Sequence, residues 1–224
     1  MKLYTYDPAP NPRRLNLFLA HKGIRIPTEQ VDLGTGVQFS AEFQAISPRC
    51  IVPVLQLDDG TVLADGIAIC SYLESLYPDK PLLGHGPLER AQILSWDAYV
   101  FNDGFLAVAE ALRNRSSAFK DRAVAGPEPI AQIAELEARG RQRLQIFWRR
   151  LEQHLENRQF IVGDAMTFAD IDAFVVVGFA AWIKERLPES RPRVQEWVRR
   201  VEGVLGVPVI APPPPRAQAA RARG

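Results

Sequence analysis

The sequence of 224 residues has few cysteines and no long apolar run. Two cysteines, Cys50 and Cys70, are too few for a disulfide scaffold or a zinc ribbon, so we expect a cytoplasmic protein with reduced thiols. Both thiols are expected to be buried and inert, because there is no C-x-x-C motif and Cys70 falls on the apolar face of a helical segment. No stretch approaches the length of a membrane span, and the first ten residues lack the apolar core of a secretory signal.

Excess charge of either sign is also lacking, since 27 lysines and arginines face 26 aspartates and glutamates. A nucleic-acid-binding domain usually carries a clear basic excess, so nucleic acid is not an expected partner. Apolar residues make up 47% of the chain, which is typical of a globular protein rather than a disordered one. We expect no metal site and no membrane association.

The first 80 residues alternate short β-rich runs with helical patterns. Pro8, Pro10 and Pro12 are expected to break regular structure before the first helix. The two aspartates and the glycine at 58–60 are typical of a hairpin turn. The predicted strands are 2–6, 26–31, 51–57 and 61–63, and the predicted helices begin at Arg13, Ala41 and Gly66. The order β-α-β-α-β-β-α predicts a mixed four-stranded sheet flanked by helices.

No strand is predicted after residue 87. Helical periodicity covers 88–114, 130–156, 167–181 and 192–202. We therefore expect an α/β domain over residues 1–80, a linker over 81–87 with its proline and glycine content, and an all-helical domain over 88–210. Residues 211–224, rich in proline and arginine, are expected to form a flexible tail.

Pro53 interrupts the β-rich run Ile51-Val52-Pro53-Val54. Proline has no N–H for a sheet, so it belongs at an edge or at the start of a strand. A cis Val52–Pro53 bond would turn the amide and carbonyl of Val52 outward, where an extended peptide ligand could pair with them. A trans edge proline is the alternative, and it is the commoner arrangement because only ~5% of X–Pro bonds are cis.

Two segments have the composition of helix starts. Asp65 precedes the helix at Gly66, and its carboxylate could accept a hydrogen bond from a free N–H there. The same helix start could also hold an anion. The sequence Thr167-Phe168-Ala169-Asp170 predicts a capping box, in which Thr167 and Asp170 satisfy each other's main-chain N–H groups. We expect this box to be structural and not catalytic.

Three motifs taken together resemble the glutathione transferase family. They are MKLY followed by a proline-rich loop and Arg13-Arg14-Leu15, the segment IVPVLQLDDGTVLADGIAICSYLE, and GDAMTFADIDAF. Each is weak alone, but the three in order, across about residues 1–210, are specific. The resemblance implies a thioredoxin-like N-terminal domain, an all-helical bundle as C-terminal domain, a homodimer and a cis bond before Pro53.

The resemblance also implies where glutathione, a co-substrate and not a cofactor, would bind. The main chain of Val52, beside Pro53, would pair with the cysteinyl part. Asp65 would meet the γ-glutamyl amino group, and the N–H of Gly66 would meet the carboxylate. Gln38 is a weaker candidate for the glycine end. The family usually has serine where this chain has Gly66, so the hydroxyl is missing.

Ala9 stands where many bacterial members of the family have an activating serine, and its side chain donates no hydrogen bond. The donors that remain are the main-chain N–H groups of Asn11 and Arg13, the Asn11 amide and the Tyr6 hydroxyl. We predict Asn11 as the thiol donor, with Tyr6 second. The alternatives are that Asn11 caps the helix and that Tyr6 is a packed strand residue. Arg13 and Arg14 either steer the anionic tripeptide or form a solvated first helical turn.

The resemblance places a small apolar electrophile between the domains, against the first long helix. An aromatic stripe at helical spacing is more often core than a pocket, so core packing is the alternative. The candidates are Tyr99, Phe101, Phe105 and Arg113. The expected activity is conjugation of glutathione to such electrophiles, as in detoxification. A protein that binds glutathione or an apolar ligand without turnover is the second hypothesis, and a structural module that has lost the site is the third.

Overall fold

The computed structural model describes residues 1–210, so the expected tail at 211–224 lies outside the described residues. The strands are β1 (Lys2–Thr5), β2 (Thr28–Gln30), β3 (Val54–Gln56) and β4 (Val62–Ala64). They form one sheet in the order β2-β1-β3-β4, with β1 parallel to β2 and β3 antiparallel to both of its neighbours. This confirms the predicted mixed sheet, although β1, β2 and β3 are shorter than the runs that predicted them and β4 begins one residue later than predicted.

Three helices cover the sheet: α1 (Pro10–Lys22), α2 (Ala41–Ile46) and α3 (Gly66–Leu76). Successive strand residues point to opposite faces, so Leu3 joins the core that contains α1 and α3, and Tyr4 joins a smaller cluster with Phe43 of α2. The sheet is therefore covered on both sides, as a thioredoxin-like domain requires.

The start of α1 differs from the prediction. Pro10 and Pro12 lie in the first turn of the helix instead of in a preceding loop, and α1 begins three residues before Arg13. The first N–H groups of a helix have no partner within it, so a proline there gives up no hydrogen bond. Gly23 ends α1 with a φ of 70°, a left-handed conformation that glycine adopts easily.

After residue 87 the regular elements of the described chain are helices, joined by loops that contain one isolated β-bridge. Its helices are α4 (Pro87–Tyr99), α5 (Leu106–Arg115), α6 (Glu135–His154), α7 (Phe168–Ala180) and α8 (Pro192–Leu205). This confirms the expected fold class. No helix within residues 1–210 has both the length and the apolar character needed to cross a membrane.

A π-helical segment (Val100–Phe105) joins α4 to α5, where one continuous α-helix was predicted. Asp97, Phe101 and Phe105 are spaced by four residues, and in an α-helix of 3.6 residues per turn such a row drifts around the helix. The wider π turn reduces this drift, so that all three residues face α1. Gly104 lies within the segment, and a Cβ there would come 3.2 Å from Phe147.

Helix α7 is buried along its whole length and begins at the predicted capping box. The Asp170 carboxylate accepts hydrogen bonds from the Thr167 main-chain N–H at 2.8 Å and from its hydroxyl at 3.0 Å. It also accepts from the Ile161 N–H and the Trp197 indole. The box is thus confirmed, and one carboxylate ties the start of α7 to α8.

Candidate functional site

The Val52–Pro53 peptide bond is cis, as the family resemblance implied. Val52 is buried just before β3, and its N–H has no hydrogen-bond partner among residues 1–210. The side-chain amide of Asn11 donates to the Val52 carbonyl at 3.2 Å. This contact brings the start of α1 to the segment expected to bind the cysteinyl part of glutathione.

Asn11 does not cap α1, so that alternative is wrong: the N-cap residue is Ala9, and no side chain caps the helix. Pro10 and Pro12 have no N–H, and the N–H of Arg13 donates to the Ala9 carbonyl at 3.2 Å. Within residues 1–210, the Asn11 main-chain N–H therefore remains the unpartnered donor of the first turn.

Arg14 lies in the protein interior and is only 4% exposed, so the alternative of a solvated turn is wrong for this residue. Its guanidinium bonds to both carboxylate oxygens of Asp172, at 2.6 and 2.7 Å, and to Asp97 at 2.7 Å. It also donates to the Asn11 side-chain oxygen at 3.1 Å. Arg14 thus connects Asn11 to two helices of the C-terminal region.

The electrostatics of this cluster keep Arg14 charged. Burial lowers the pKa of Arg14, but the two carboxylates outweigh burial and the net shift is upward. Burial raises the pKa of Asp172 well above its ordinary value, although the charge of Arg14 opposes that rise. A guanidinium fixed between two carboxylates has one orientation, and that orientation holds the Asn11 side chain in place.

Sequence reasoning did not find the roles of Asp97 and Asp172. Asp172 gave a usable signal, since it lies in a helix that is otherwise almost wholly apolar, and a buried charge needs a partner. Asp97 has no comparable signal in the sequence, because it lies in an amphipathic helix, where an aspartate is ordinary.

Asp65 is the residue before α3, but its side chain forms no cap, so the predicted cap is wrong. An N-cap residue normally has an extended backbone, whereas Asp65 has a φ of 71° and the carboxylate does not reach the helix N–H groups. The carboxylate is exposed and accepts a hydrogen bond from Arg49 at 2.8 Å. Non-glycine residues with such backbone angles cluster at functional sites.

Gly66 and Gln38 each offer one feature that suits a ligand. A Cβ built on Gly66 would have Arg14 as its nearest neighbour at 3.9 Å, so there is open space beside the helix start. Gln38 is buried in a short 3-10 helix, and its side-chain oxygen has no partner within residues 1–210. Buried polar atoms usually have a hydrogen-bond partner, so an N–H of a ligand would supply the partner that the Gln38 oxygen lacks.

Tyr6 packs against the smaller cluster on the α2 face of the sheet, which agrees with the packed-residue alternative. Burial raises the pKa of its hydroxyl, and the nearby charge of Asp32 raises it further. A Cβ on Gly34 would lie 3.9 Å from this hydroxyl. The contacts therefore direct the Tyr6 hydroxyl toward the loop that contains Asp32.

Phe101 and Phe105 lie where an apolar substrate was expected. Their rings are stacked with centroids 5.3 Å apart, and the Arg14 guanidinium lies 5.1 Å from the first and 5.9 Å from the second. Phe179 extends the row at 5.1 Å from Phe105, and Trp182 follows at 5.6 Å. Because Trp182 is 51% exposed, the row runs from Arg14 to solvent.

Tyr99 and Arg113 make other contacts, and their role as substrate residues stays a prediction. Tyr99 packs between Trp96 and Phe147, and burial raises the pKa of its hydroxyl. Arg113 donates to the Arg122 carbonyl at 2.8 Å and lies over Phe119. Within residues 1–210, neither side chain forms a hydrogen bond with Arg14, Asp97 or Asp172.

Cys50 and Cys70 are both buried and unpaired, which confirms the expected burial, and burial raises the pKa of each thiol. Within residues 1–210, no three His, Cys, Asp or Glu side chains are placed to hold a metal ion. A reactive sulfur at this site would therefore have to come from a ligand.

Comparisons with known proteins match both parts of the chain to one family. The family model "Glutathione S-transferase, N-terminal domain" matches residues 9–76, and "Glutathione S-transferase, C-terminal domain" matches residues 123–203. Glutathione S-transferase 2 of Saccharomyces cerevisiae is 30% identical over 206 residues, which cover 90% of this chain and 85% of that protein.

Solved structures give the same result for the fold. A glutathione S-transferase domain-containing protein from Marinobacter aquaeolei is 30% identical, with a TM-score of 0.80, and the match covers 90% of this chain and 97% of that one. The structure of Gtt2 from Saccharomyces cerevisiae is 26% identical, with a TM-score of 0.82, and the match covers 90% of this chain and 96% of that one.

Proposed function

The chain belongs to the glutathione S-transferase family, and from that premise we propose that it conjugates the thiolate of glutathione to small apolar electrophiles. Its relatives support a function of transferring or binding glutathione. The observation that carries the proposal is the contact of the Asn11 amide with the Val52 carbonyl, at 3.2 Å. It places the Asn11 side chain, which keeps one N–H without a partner within the described residues 1–210, beside the expected binding position of the cysteinyl residue.

In the proposed complex, Val52 pairs with the cysteinyl main chain and Asp65 meets the γ-glutamyl ammonium. The N–H of Gly66 meets the neighbouring carboxylate. Gln38, with its unpartnered buried oxygen, takes the glycine end. Phe101 and Phe105 border the electrophile.

The pKa shift needed to activate the glutathione thiol determines how much free energy Asn11 must supply. A free cysteine thiol has a pKa of ~8.5, so ~3% is thiolate at pH 7, and lowering the pKa by ~2 units takes ~2.7 kcal/mol. One hydrogen bond to a charged group supplies ~1.5–3 kcal/mol, and a helix N-terminus ~0.3–1 kcal/mol. The side-chain N–H of Asn11 and the start of α1 together therefore supply a free energy of the required size without a serine at Ala9.

Glutathione binding without turnover is the second candidate, and it is favoured by Ala9 and Gly66, which have no side-chain hydrogen-bond donor. The side-chain oxygen of Asn11 accepts from Arg14, and its amide nitrogen donates to Val52, so one N–H of the side chain and one of the main chain remain for a sulfur. If neither reaches the sulfur, the same groove still holds the tripeptide.

The test is conjugation of glutathione to an activated aryl halide across pH 6–9, with calorimetric titration of glutathione alongside. A transferase gives a rate well above the solution reaction and an apparent thiol pKa below that of free glutathione. Binding with no rate above the solution reaction selects the second candidate. No binding overturns both.

We also propose that the protein acts as a homodimer in the cytoplasm, in the detoxification of electrophiles. Exposed apolar side chains on β4, α3 and α4 support the homodimer, and the two unpaired cysteines support a reducing compartment. Among those apolar residues are Val62, Leu76 and Leu94. Sedimentation of the purified protein gives the oligomeric state.

A further inference from the structure

Arg49 and Asp65 form an ion pair beside the start of α3, with the Arg49 guanidinium 2.8 Å from the carboxylate. The side chains are 64% and 52% exposed. An exposed ion pair adds little to stability, whereas a non-glycine residue with a positive φ strains the backbone. Stability therefore does not explain why Asp65 is held at a φ of 71° with its carboxylate on Arg49.

The pair offers one negative and one positive group side by side in solvent. The γ-glutamyl end of glutathione carries an ammonium and a carboxylate on the same carbon atom, so it offers the opposite charges at a matching separation. When the ammonium meets Asp65, the carboxylate on the same carbon lies within reach of the Arg49 guanidinium. One N–H of that guanidinium bonds Asp65, and its other donors have no partner within residues 1–210.

We propose that Arg49 binds the γ-glutamyl α-carboxylate of glutathione and sets the specificity of this end of the groove; this inference rests on the proposed function. Gly66 has a main-chain N–H but no hydroxyl to offer this carboxylate. A guanidinium can bind a carboxylate through two parallel hydrogen bonds, which a single N–H cannot do. Arg49 thereby replaces the hydroxyl that Gly66 lacks.

The test combines the Arg49→Ala variant with a ligand that lacks the γ-glutamyl α-carboxylate. Calorimetry measures binding of glutathione and of 4-aminobutanoyl-Cys-Gly, which keeps the amine and lacks the α-carboxylate. We expect Arg49→Ala to weaken glutathione binding about tenfold, or ~1.4 kcal/mol. The same substitution changes binding of the second ligand by less than about twofold. Arg25→Ala, an exposed arginine of the same domain, is the matched control and leaves both affinities unchanged.

A second variant keeps the proposal falsifiable if Arg49→Ala alters the loop. Gly66→Ser adds a hydroxyl where the nearest neighbour of a Cβ is 3.9 Å away. With Gly66→Ser in place, we expect the loss caused by Arg49→Ala to shrink to about threefold, because the hydroxyl then shares the carboxylate.

Equal losses for both ligands, or no loss for glutathione, overturn the role of Arg49 while glutathione binding by the unsubstituted protein still stands. An unsubstituted protein that binds neither ligand overturns the proposed function and this inference with it. Thermal unfolding of each variant confirms that the fold is intact.

Discussion

At the scale of single residues, Asn11 joins three parts of the molecule through one short side chain. Its side-chain oxygen accepts a hydrogen bond from Arg14 and its side-chain amide donates to Val52. Its main-chain N–H, at the start of α1, has no partner within residues 1–210. Substitutions that keep or remove each of these groups separate binding from activation.

Asn11→Ala removes the side-chain N–H and leaves the main-chain N–H in place. It is expected to lower kcat for conjugation about tenfold, which corresponds to the loss of ~1.4 kcal/mol of thiolate stabilisation by the side chain. Asn11→Asp keeps the shape and the bond from Arg14 but places a negative charge near the sulfur. It is therefore expected to lower kcat at least as much and to raise the apparent thiol pKa. Steady-state kinetics from pH 6 to 9 measure both effects.

Tyr6→Phe is the comparison, and it is expected to change kcat by less than about twofold, because the contacts direct this hydroxyl toward Asp32. A larger loss for Tyr6→Phe than for Asn11→Ala would show that the tyrosine is the donor.

The sequence predicted some of these residues and not others, for a physical reason. Pro53 and Asp65 belong to a contiguous motif, so the local pattern revealed them. Arg14 bonds Asp97 and Asp172, which are 83 and 158 residues away along the chain. A local sequence pattern does not reveal an ion pair between residues so far apart in the chain. For that reason neither alternative for Arg14 placed it in the protein interior.

At the scale of elements, the crossing of α5 and α6 depends on Gly140. A Cβ at this position would lie 2.5 Å from the Ala107 carbonyl oxygen and 2.8 Å from the Ala111 nitrogen. Both are main-chain atoms of α5, so neither can move without shifting the helix. We expect Gly140→Ala to lower the free energy of unfolding by about 2–3 kcal/mol.

Gly203 is the matched control for this substitution. It lies in α8, and a methyl group added there would have nothing within 4 Å. Gly203→Ala is expected to raise the free energy of unfolding by up to ~1 kcal/mol, the usual preference for alanine in a helix. Denaturant unfolding of the two variants compares them, and a stabilising Gly140→Ala would contradict the close helix contact.

The capping box of α7 predicts a pH dependence of stability. Burial raises the pKa of Asp170 to about 6, from 3.8. The folded state then binds more protons than the unfolded state between those values, so this group's contribution to stability falls as the pH rises from about 4 to about 6. Across this pH range the contribution of Asp170 to the free energy of unfolding changes by about 3 kcal/mol in total, and Asp170→Asn removes this pH-dependent contribution.

Urea unfolding at a series of pH values measures the difference between the unsubstituted protein and Asp170→Asn. We expect this difference to decrease with rising pH. An increase would mean that the four hydrogen bonds to the carboxylate outweigh its burial.

The helices and strands were largely predictable from the spacing of apolar residues and from composition. Both the order β-α-β-α-β-β-α and the helices after residue 87 were found in this way. The π-helical segment (Val100–Phe105) was not predictable, because its local sequence continues a helical pattern. The wider turn reflects packing against α1. The start of α1 was misplaced because proline breaks a helix interior, whereas the first helical turn tolerates it.

At the scale of the whole molecule, Arg14 of α1, Asp97 of α4 and Asp172 of α7 form the buried junction between the sheet domain and the helical bundle. A lysine at position 14 keeps the charge but cannot bond both carboxylates and Asn11 at once. We expect Arg14→Lys to lower the free energy of unfolding by about 2–4 kcal/mol and to weaken conjugation.

Arg149→Lys is the control for this substitution, since Arg149 is exposed on α6. It is expected to change stability by less than about 0.5 kcal/mol. Thermal or denaturant unfolding distinguishes the two, and equal effects would mean that the junction does not stabilise the protein.

A crystal structure of the full chain with glutathione bound is the most direct test of the proposed groove. We predict that the cysteinyl main chain pairs with Val52, that the γ-glutamyl ammonium lies on Asp65, and that the sulfur lies within hydrogen-bonding distance of Asn11. Glutathione bound away from Val52, or a sulfur nearest to the Tyr6 hydroxyl, would contradict it.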